Sequence, residues 1–269
     1  MHDFVSFNHQ IISAENSFLP SISPAAFYGK GVFTTVAIYN SKPFLWQKHW
    51  QRLLENTKKI NVDLSKLSEQ TVEKSLSEII AANKITNGRA RLTFFDESSV
   101  SNWQTEQKKR TSFLINTADF REIPKPLRLT VSTFRTNSTS PLSGVKSCNY
   151  LENILALEEA RAKGFDEAVR INERDDIVSA CMANIFWLKD GEIFTPNLNT
   201  GCLAGTTREF VLENYSVFEK QANLNELADA DAIFLTSAGI GIIQIVEFQG
   251  KKFSVELHQL TKICPQIDR

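Results

Sequence analysis

The sequence predicts an α+β fold in two parts, and three observations carry that reading. Residues 49–60 and 68–82 show apolar side chains at helical spacing, and three β-rich runs follow them. A stretch with two prolines, Ala118 to Pro126, then interrupts the pattern. After Gly164 the chain changes to short β-rich runs separated by turn residues. The expected parts are a small N-terminal α/β domain over 1–119 and a larger, β-rich C-terminal domain over 120–269.

Taken in order, Phe4 to Ser13 reads as a short strand entering a loop, Ala14 to Pro24. Gly29 and Gly31 mark a tight turn before the β-rich run Val32 to Tyr39, and Asn40-Ser41-Lys42-Pro43 turns the chain into Phe44-Leu45-Trp46. Gly-Lys-Gly is not a dinucleotide loop, because no third glycine follows and a strand comes next. The first helix offers Trp50, Leu53, Leu54, Thr57 and Ile60 to a core, with Arg52 on another face. The second has Ser68 as N-cap and Val72, Leu76, Ile79 and Ile80 as its stripe. Arg89 to Phe95, Thr111 to Thr117 and Leu127 to Phe134 read as strands, and Asp96 to Arg110 as an exposed hairpin loop.

The stretch Ser140 to Gly164 is the most informative. Lys146 sits between a loop of Ser, Pro and Gly and the start of a helix with Leu151, Ile154, Leu155 and Leu157 as its apolar residues and Gly164 as its stop. A lysine at such a junction can be desolvated and lowered in pKa, the condition for a Schiff-base nucleophile. Beyond it, Glu167 to Ile171, Ile177 to Ser179, Ile185 to Leu188 and Glu192 to Thr195 read as strands, with a turn at Lys189-Asp190-Gly191. In LNTGCLAGTTREFVLEN a glycine-containing loop meets two threonines that open a helix over Arg208 to Tyr215, a natural phosphate cradle. Leu224 to Asp229 reads as a short helix, and Ser237-Ala238-Gly239 as a small-residue turn between strands Asp231 to Thr236 and Ile242 to Phe248.

Composition narrows the function. Lys plus Arg (30) nearly balance Asp plus Glu (31), so no net field recruits nucleic acid or an anionic membrane. Hydrophobic content of 42% and charged content of 23% suit an ordinary folded protein. No secretory signal opens the chain and no run has the length of a bilayer span, so a soluble, cytoplasmic protein is expected. The four cysteines (Cys148, Cys181, Cys202, Cys264) are too scattered for a metal site or a disulfide framework. His2, His9, His49 and His258 lack ligand or triad spacing and read as structural or surface residues. Ser143-Gly144-Val145-Lys146 matches S-x-x-K, but the S-D-N and K-T-G elements that accompany it in penicillin-recognising enzymes are missing.

What holds together is a lysine before a helix, a separate Gly-Thr-Thr-Arg helix start, a Ser-Ala-Gly turn and an arginine in a helix. An amine that traps an aldehyde, with dispersed phosphate donors, is what pyridoxal 5'-phosphate requires. The segments FYGKGVFTTVAIYNSKPFLWQKHWQRL, VKSCNYLENILALEEARAKGFDEAV and NIFWLKDGEIFTPNLNTGCLAGTTREFVLE, in this order, resemble the fold-type IV pyridoxal-phosphate enzymes. These include branched-chain and D-amino-acid aminotransferases and 4-amino-4-deoxychorismate lyase. The resemblance implies a homodimer, a small-molecule amino substrate and a cofactor between the two domains.

It also implies roles. Lys146 matches the imine lysine and proton shuttle, and Arg52 in KHWQRL the phosphate-binding arginine. Thr206 and Thr207 match the pair at the phosphate-binding helix start, and Leu203 the residue packed on the cofactor ring. Tyr150 resembles the partner of the ring hydroxyl, at the cost of a one-residue gap. Ser237 matches a phosphate donor, while Ala238 stands where relatives often have Thr and offers only its backbone N–H. Lys30, Arg89, Arg91 and Arg135 are basic residues near strand ends and candidates for a substrate carboxylate.

One departure stands out. Relatives carry a glutamate five residues before the Asn of N-I-F, where it holds a proton on the pyridine nitrogen; here that Asn is Asn184 and the residue is Ser179. A hydroxyl does not stabilise pyridinium as a carboxylate does, so the ring is a weaker electron sink. This favours a 4-amino-4-deoxychorismate lyase, whose reaction is driven by aromatisation and which serves folate synthesis. Trp187 in NIFWLKDG is similar to lyase members as well. The alternatives are an aminotransferase for branched-chain L- or D-amino acids and a relative that binds the cofactor without turnover.

Overall fold

The computed structural model describes residues 1–98, 109–123 and 126–265. The hairpin loop expected between Asp96 and Arg110 lies largely outside the described residues. Contacts divide the chain into two compact units, Met1–Phe120 with Val145–Asn149, and Arg121–Gly144 with Tyr150–Arg269. The residues around Lys146 therefore group with the N-terminal part of the chain.

In the first unit, β1 (Phe4–Phe7) and β2 (Gln10–Ser13) form a hairpin where the sequence suggested one strand from Phe4 to Ser13. Asn8 and His9 at its turn have φ of 48° and 70°, as a tight two-residue hairpin turn demands, and no glycine signalled it. A short helix, α1 (Pro24–Tyr28), was also not expected. β3 (Gly31–Tyr39) turns at Asn40-Ser41 into β4 (Lys42–Pro43). The helix α2 (Trp46–Lys59) starts three residues before the expected His49. Phe44-Leu45-Trp46 has strand composition, but Trp46 is buried one turn ahead of Trp50 and extends the same helical stripe. α3 (Glu69–Ala82) starts at a capping box between Ser68 and Thr71. β5 (Gly88–Asp96) and β6 (Thr111–Ala118) complete an antiparallel sheet of order β2-β1-β6-β5-β3-β4.

Both helices bury their stripes against this sheet. Trp46, Trp50, Leu53, Val72, Leu76 and Ile79 share one core with Val36, Ile38, Leu92, Phe94 and Val145. Each such burial contributes about 1.5–3 kcal/mol. The segment 145–149 is held beside β3: Phe33 N donates to the Lys146 carbonyl at 2.9 Å and Cys148 N to the Gly31 carbonyl at 2.8 Å. A Cβ on Gly31 would stand 2.7 Å from the Phe94 carbonyl oxygen, so this glycine is there for close approach.

In the second unit, β7 (Arg128–Val131) is shorter than expected, and α4 (Leu151–Ala162) follows the lysine segment. The helix exists where expected, but its buried face is Ala156, Leu157 and Ala160. Leu151 is 66% exposed and Leu155 39%, so the stripe read from the larger side chains is corrected to one built on small residues. Ala156 and Ala160 allow α4 to lie close against Ala168 and Cys181.

β8 (Glu167–Ile171) and β9 (Ile177–Ala180) form an antiparallel pair. β10 (Asn184–Lys189) and β11 (Glu192–Pro196) form a hairpin turning at Asp190-Gly191. α5 (Thr206–Asn214) begins at the threonines, two residues before the expected Arg208, because Gly205 is its N-cap. β12 (Val217–Lys220), α6 (Leu224–Ala228), β13 (Ala232–Ser237), β14 (Gly241–Gln244), β15 (Glu247–Phe248) and β16 (Lys251–Lys252) follow. They make two sheets, β12-β11-β10-β13-β14 and β16-β15-β7-β8-β9, around a core that includes Val169, Ile177, Ile185, Trp187 and Leu235. Among the described residues no helix is long and apolar enough to cross a membrane.

Candidate active site

The sequence candidates fall into two groups, one in each unit, and each group is drawn together by hydrogen bonds or strand register.

In the first unit α2 and β3 set out Arg52, His49 and Thr34. His49 and Arg52 are three residues apart in α2 and therefore share a face. Arg52 Nη2 donates to Thr34 Oγ1 at 2.7 Å, and Thr34 Oγ1 lies 2.7 Å from His49 Nδ1. The Thr34 hydroxyl, which accepts from the guanidinium, keeps a hydrogen that it can donate to a neutral imidazole nitrogen. Complete burial, then the charges of Arg52 and Lys146, hold the His49 pKa well below its usual value, and the ring is neutral. His49 is thus a structural histidine, and it supports Arg52 through Thr34.

Lys146 is half-buried and fixed at its backbone: its N–H donates to Asn56 Oδ1 at 2.7 Å, one turn along α2 from Arg52. Its Nζ stands 4.5 Å from the centroid of the Phe33 ring. The same ring has the Arg91 guanidinium carbon 3.6 Å from its centroid. An amine and a guanidinium held at one aromatic ring suit an anionic ligand carrying a carbonyl group.

In the second unit Asn184, the landmark of N-I-F, is the organiser. Its Nδ2 donates to the Leu203 carbonyl at 2.8 Å, and it faces Thr236 across the β10–β13 pair. A Cβ on Gly205 would come 2.0 Å from Asn184 Oδ1, so only glycine permits the loop to sit there. Leu203, Thr206 and Thr207 are thereby tied to the strand that runs into Ser237 and Ala238. Gly205, as N-cap, has no side chain with which to serve the backbone N–H groups of the first turn of α5. Thr206 and Thr207 are buried there, and Thr236 Oγ1 is buried with no hydrogen-bond partner among the described residues. A helix start without a side-chain cap, buried hydroxyls and an orphaned hydroxyl fit a phosphate. A phosphate-binding set and the Lys146 amine are the two chemistries that pyridoxal phosphate needs. Arg208 serves structure instead, bonding the Pro196 carbonyl at 2.9 Å and Glu219.

Tyr150 is the N-cap residue of α4 and half-buried. Ser179, also half-buried, lies on β9 directly opposite Arg170 on β8. Among the basic candidates, Lys30 pairs with Asp96 at 2.8 Å and Arg135 with Asp175 at 2.6 Å. Arg89 Nε donates to the Asp119 carbonyl at 3.0 Å. Arg91 donates to Thr93 Oγ1 at 3.3 Å and is the basic candidate that shares the Phe33 ring with Lys146. No group of three or more His, Cys, Asp or Glu residues suited to a metal ion occurs among the described residues.

The family described as Amino-transferase class IV matches residues 31–248. Aminodeoxychorismate lyase of Bacillus subtilis (strain 168) is 25% identical over 263 residues, covering 94% of this chain and 89% of that protein. The crystal structure of the branched-chain aminotransferase from Thermoproteus uzoniensis with norvaline superposes with a TM-score of 0.88 at 26% identity, covering 97% and 92%. The crystal structure of 4-amino-4-deoxychorismate lyase from Pseudomonas aeruginosa has a TM-score of 0.83 at 22% identity, covering 96% and 95%.

Proposed function

Because the chain belongs to the class IV aminotransferase family, we propose that it is a 4-amino-4-deoxychorismate lyase dependent on pyridoxal phosphate, releasing pyruvate and 4-aminobenzoate for folate synthesis. It has the fold-type IV architecture of the branched-chain aminotransferases and is an enzyme of this family, lyase or aminotransferase. Bound pyridoxal phosphate supplies an aldehyde for the amine and a ring that draws off an electron pair.

In this reading Lys146 Nζ is the amine that would hold the cofactor's aldehyde, and it is free to act as a base once the substrate amine takes that place. The released amine then takes the proton from the amine-bearing carbon of the substrate. Loss of the enolpyruvyl oxygen makes the substrate ring aromatic, and protonation of the enolpyruvyl carbon gives pyruvate. Arg52, the α5 N–H groups, Thr206, Thr207 and Ser237 bind the phosphate, with the Ala238 N–H as a further donor. Leu203 would pack on the ring and Tyr150 would orient its hydroxyl. Neutral His49 and Thr34 hold the Arg52 guanidinium in one orientation.

The observation that carries the lyase reading over amine transfer is Ser179: a hydroxyl, with an arginine as its cross-strand neighbour, where relatives have a carboxylate. The test is direct. Purified holoenzyme given aminodeoxychorismate should release 4-aminobenzoate and pyruvate in equal amounts, and no 4-aminobenzoate above blank would overturn the reading. The similarity to the Thermoproteus enzyme favours, second, an aminotransferase for branched-chain L- or D-amino acids. Rapid amine exchange that depends on a keto acid would establish it. The exposed Leu151, Ile154 and Leu155 on α4 support the proposal of a homodimer, since apolar side chains on one helix gain by being covered.

A further inference from the structure

Arg170 is an anomaly in the interior of the second unit. It is 3% exposed, and its guanidinium is only partly satisfied. Nη1 donates to Asn153 Oδ1 at 3.0 Å, Nη2 makes long contacts of 3.4 Å to the Arg135 carbonyl and to Glu152, and Nε is buried with no partner among the described residues. Glu152 is a weak counter-charge because its side chain is 76% exposed to solvent, which screens it. The buried carboxyl of Glu167 is taken up by the backbone N–H groups of Ala168, Cys181 and Met182, and burial raises its pKa. Cys181, whose thiol burial pushes up, feels the Arg170 charge but does not cancel it. A guanidinium cannot shed its proton, so a persistent positive charge stands here.

Its register fixes what that charge acts on. Arg170 and Ser179 are directly opposed in the β8–β9 pair, so their side chains leave the same face of the sheet with Cβ atoms about 5 Å apart. Arg170 also binds the first turn of α4, immediately after Tyr150. The residue assigned to the ring nitrogen is thus the cross-strand neighbour of this buried cation, and the residue assigned to the ring hydroxyl caps the helix whose first turn the cation binds.

From this juxtaposition we infer that Arg170 is a specificity-determining residue that keeps the pyridine nitrogen of the bound cofactor unprotonated. A second positive charge next to a buried guanidinium is disfavoured, whereas a neutral ring nitrogen can accept a hydrogen bond from the Ser179 hydroxyl. Serine and arginine then act as a pair: one withdraws the carboxylate that would hold the proton, and the other repels the proton. The cofactor is tuned toward elimination and away from amine transfer. The inference rests on the pyridoxal-phosphate reading above and deepens it.

The test uses holoenzyme reconstituted with pyridoxal phosphate labelled with nitrogen-15 in the ring, followed by NMR against pH. Wild type should show the unprotonated nitrogen throughout the pH range in which it stays folded. Arg170→Met, which keeps volume and leaves no charge to satisfy, should raise the apparent pKa of the ring nitrogen by about one unit or more. Ser179→Glu in the Arg170→Met background should give the upfield resonance of pyridinium at neutral pH. If Arg170→Met does not fold, Arg170→Gln, which removes the charge but keeps a donor for Asn153, takes its place, and an unchanged ring-nitrogen pKa in the folded uncharged variant overturns the inference. A protonated ring nitrogen in wild type overturns the inference while leaving the cofactor reading intact. Failure of wild type to take up the cofactor overturns both.

Discussion

Asn56 Oδ1 accepts the backbone N–H of Lys146 at 2.7 Å, a bond between residues ninety apart in sequence. Asn56 lies one turn beyond Arg52 on α2, and both are buried. One helix face thereby fixes the candidate nucleophile from its backbone and supplies the candidate phosphate-binding guanidinium. Asn56→Ala should leave a backbone donor without its acceptor and cost about 1–3 kcal/mol. Chemical denaturation would measure this, and titration with pyridoxal phosphate should show weakened uptake in the same variant.

The Arg52–Thr34–His49 chain makes stability depend on pH. Because the folded state lowers the His49 pKa below its usual 6.5, the unfolded chain binds more protons in the interval between the two values. This contribution is complete above about pH 6.5 and is lost as pH falls toward the depressed folded value. Urea midpoints should therefore drop from pH 7 to pH 5, and His49→Gln should flatten that part of the profile.

Gly205 and Asn184 should be coupled. Gly205→Ala forces a Cβ into the space of Asn184 Oδ1 and should destabilise the protein by about 1–3 kcal/mol. In an Asn184→Ala background part of that cost should vanish, so a double-mutant cycle should return a sub-additive sum. Strict additivity would mean that the α5 loop relaxes without touching Asn184.

Lys146→Ala should still bind pyridoxal phosphate through the phosphate donors but should no longer be labelled covalently. Borohydride reduction followed by mass spectrometry should find the pyridoxyl group on wild-type Lys146 and on no residue of the variant. Labelling that persists at another lysine would move the nucleophile there.

Much of the site was legible because its signals are local. The threonine pair, the Ser-Ala-Gly turn and the lysine before α4 all lie at element ends, which glycine and hydroxyl residues mark in sequence. The errors are of a different kind. The core face of α4 was assigned to Leu151, Ile154, Leu155 and Leu157, of which Leu157 is buried, but burial depends on what lies opposite, and the neighbouring Ala168 leaves room for Ala156 and Ala160 to approach in place of the others. His49 was read as structural or surface, and its tie to Arg52 was not legible because it runs through Thr34, fifteen residues away on β3. Arg170 was one arginine among many until register set it against Ser179. Helix periodicity and end signals can be read along the chain. Pairing between strands cannot.

The return of residues 145–149 to the side of β3 also bears on how this protein is made. Val145 sits in the same core as Trp50 and Leu76, so the N-terminal unit is chemically incomplete when residue 120 leaves the ribosome. Until another thirty or so residues have emerged, the flank of β3 that receives Lys146 has no strand against it, a state that invites association between nascent chains. Translation must therefore carry the C-terminal unit well into synthesis before the N-terminal one can close, and the two cannot mature strictly one after the other.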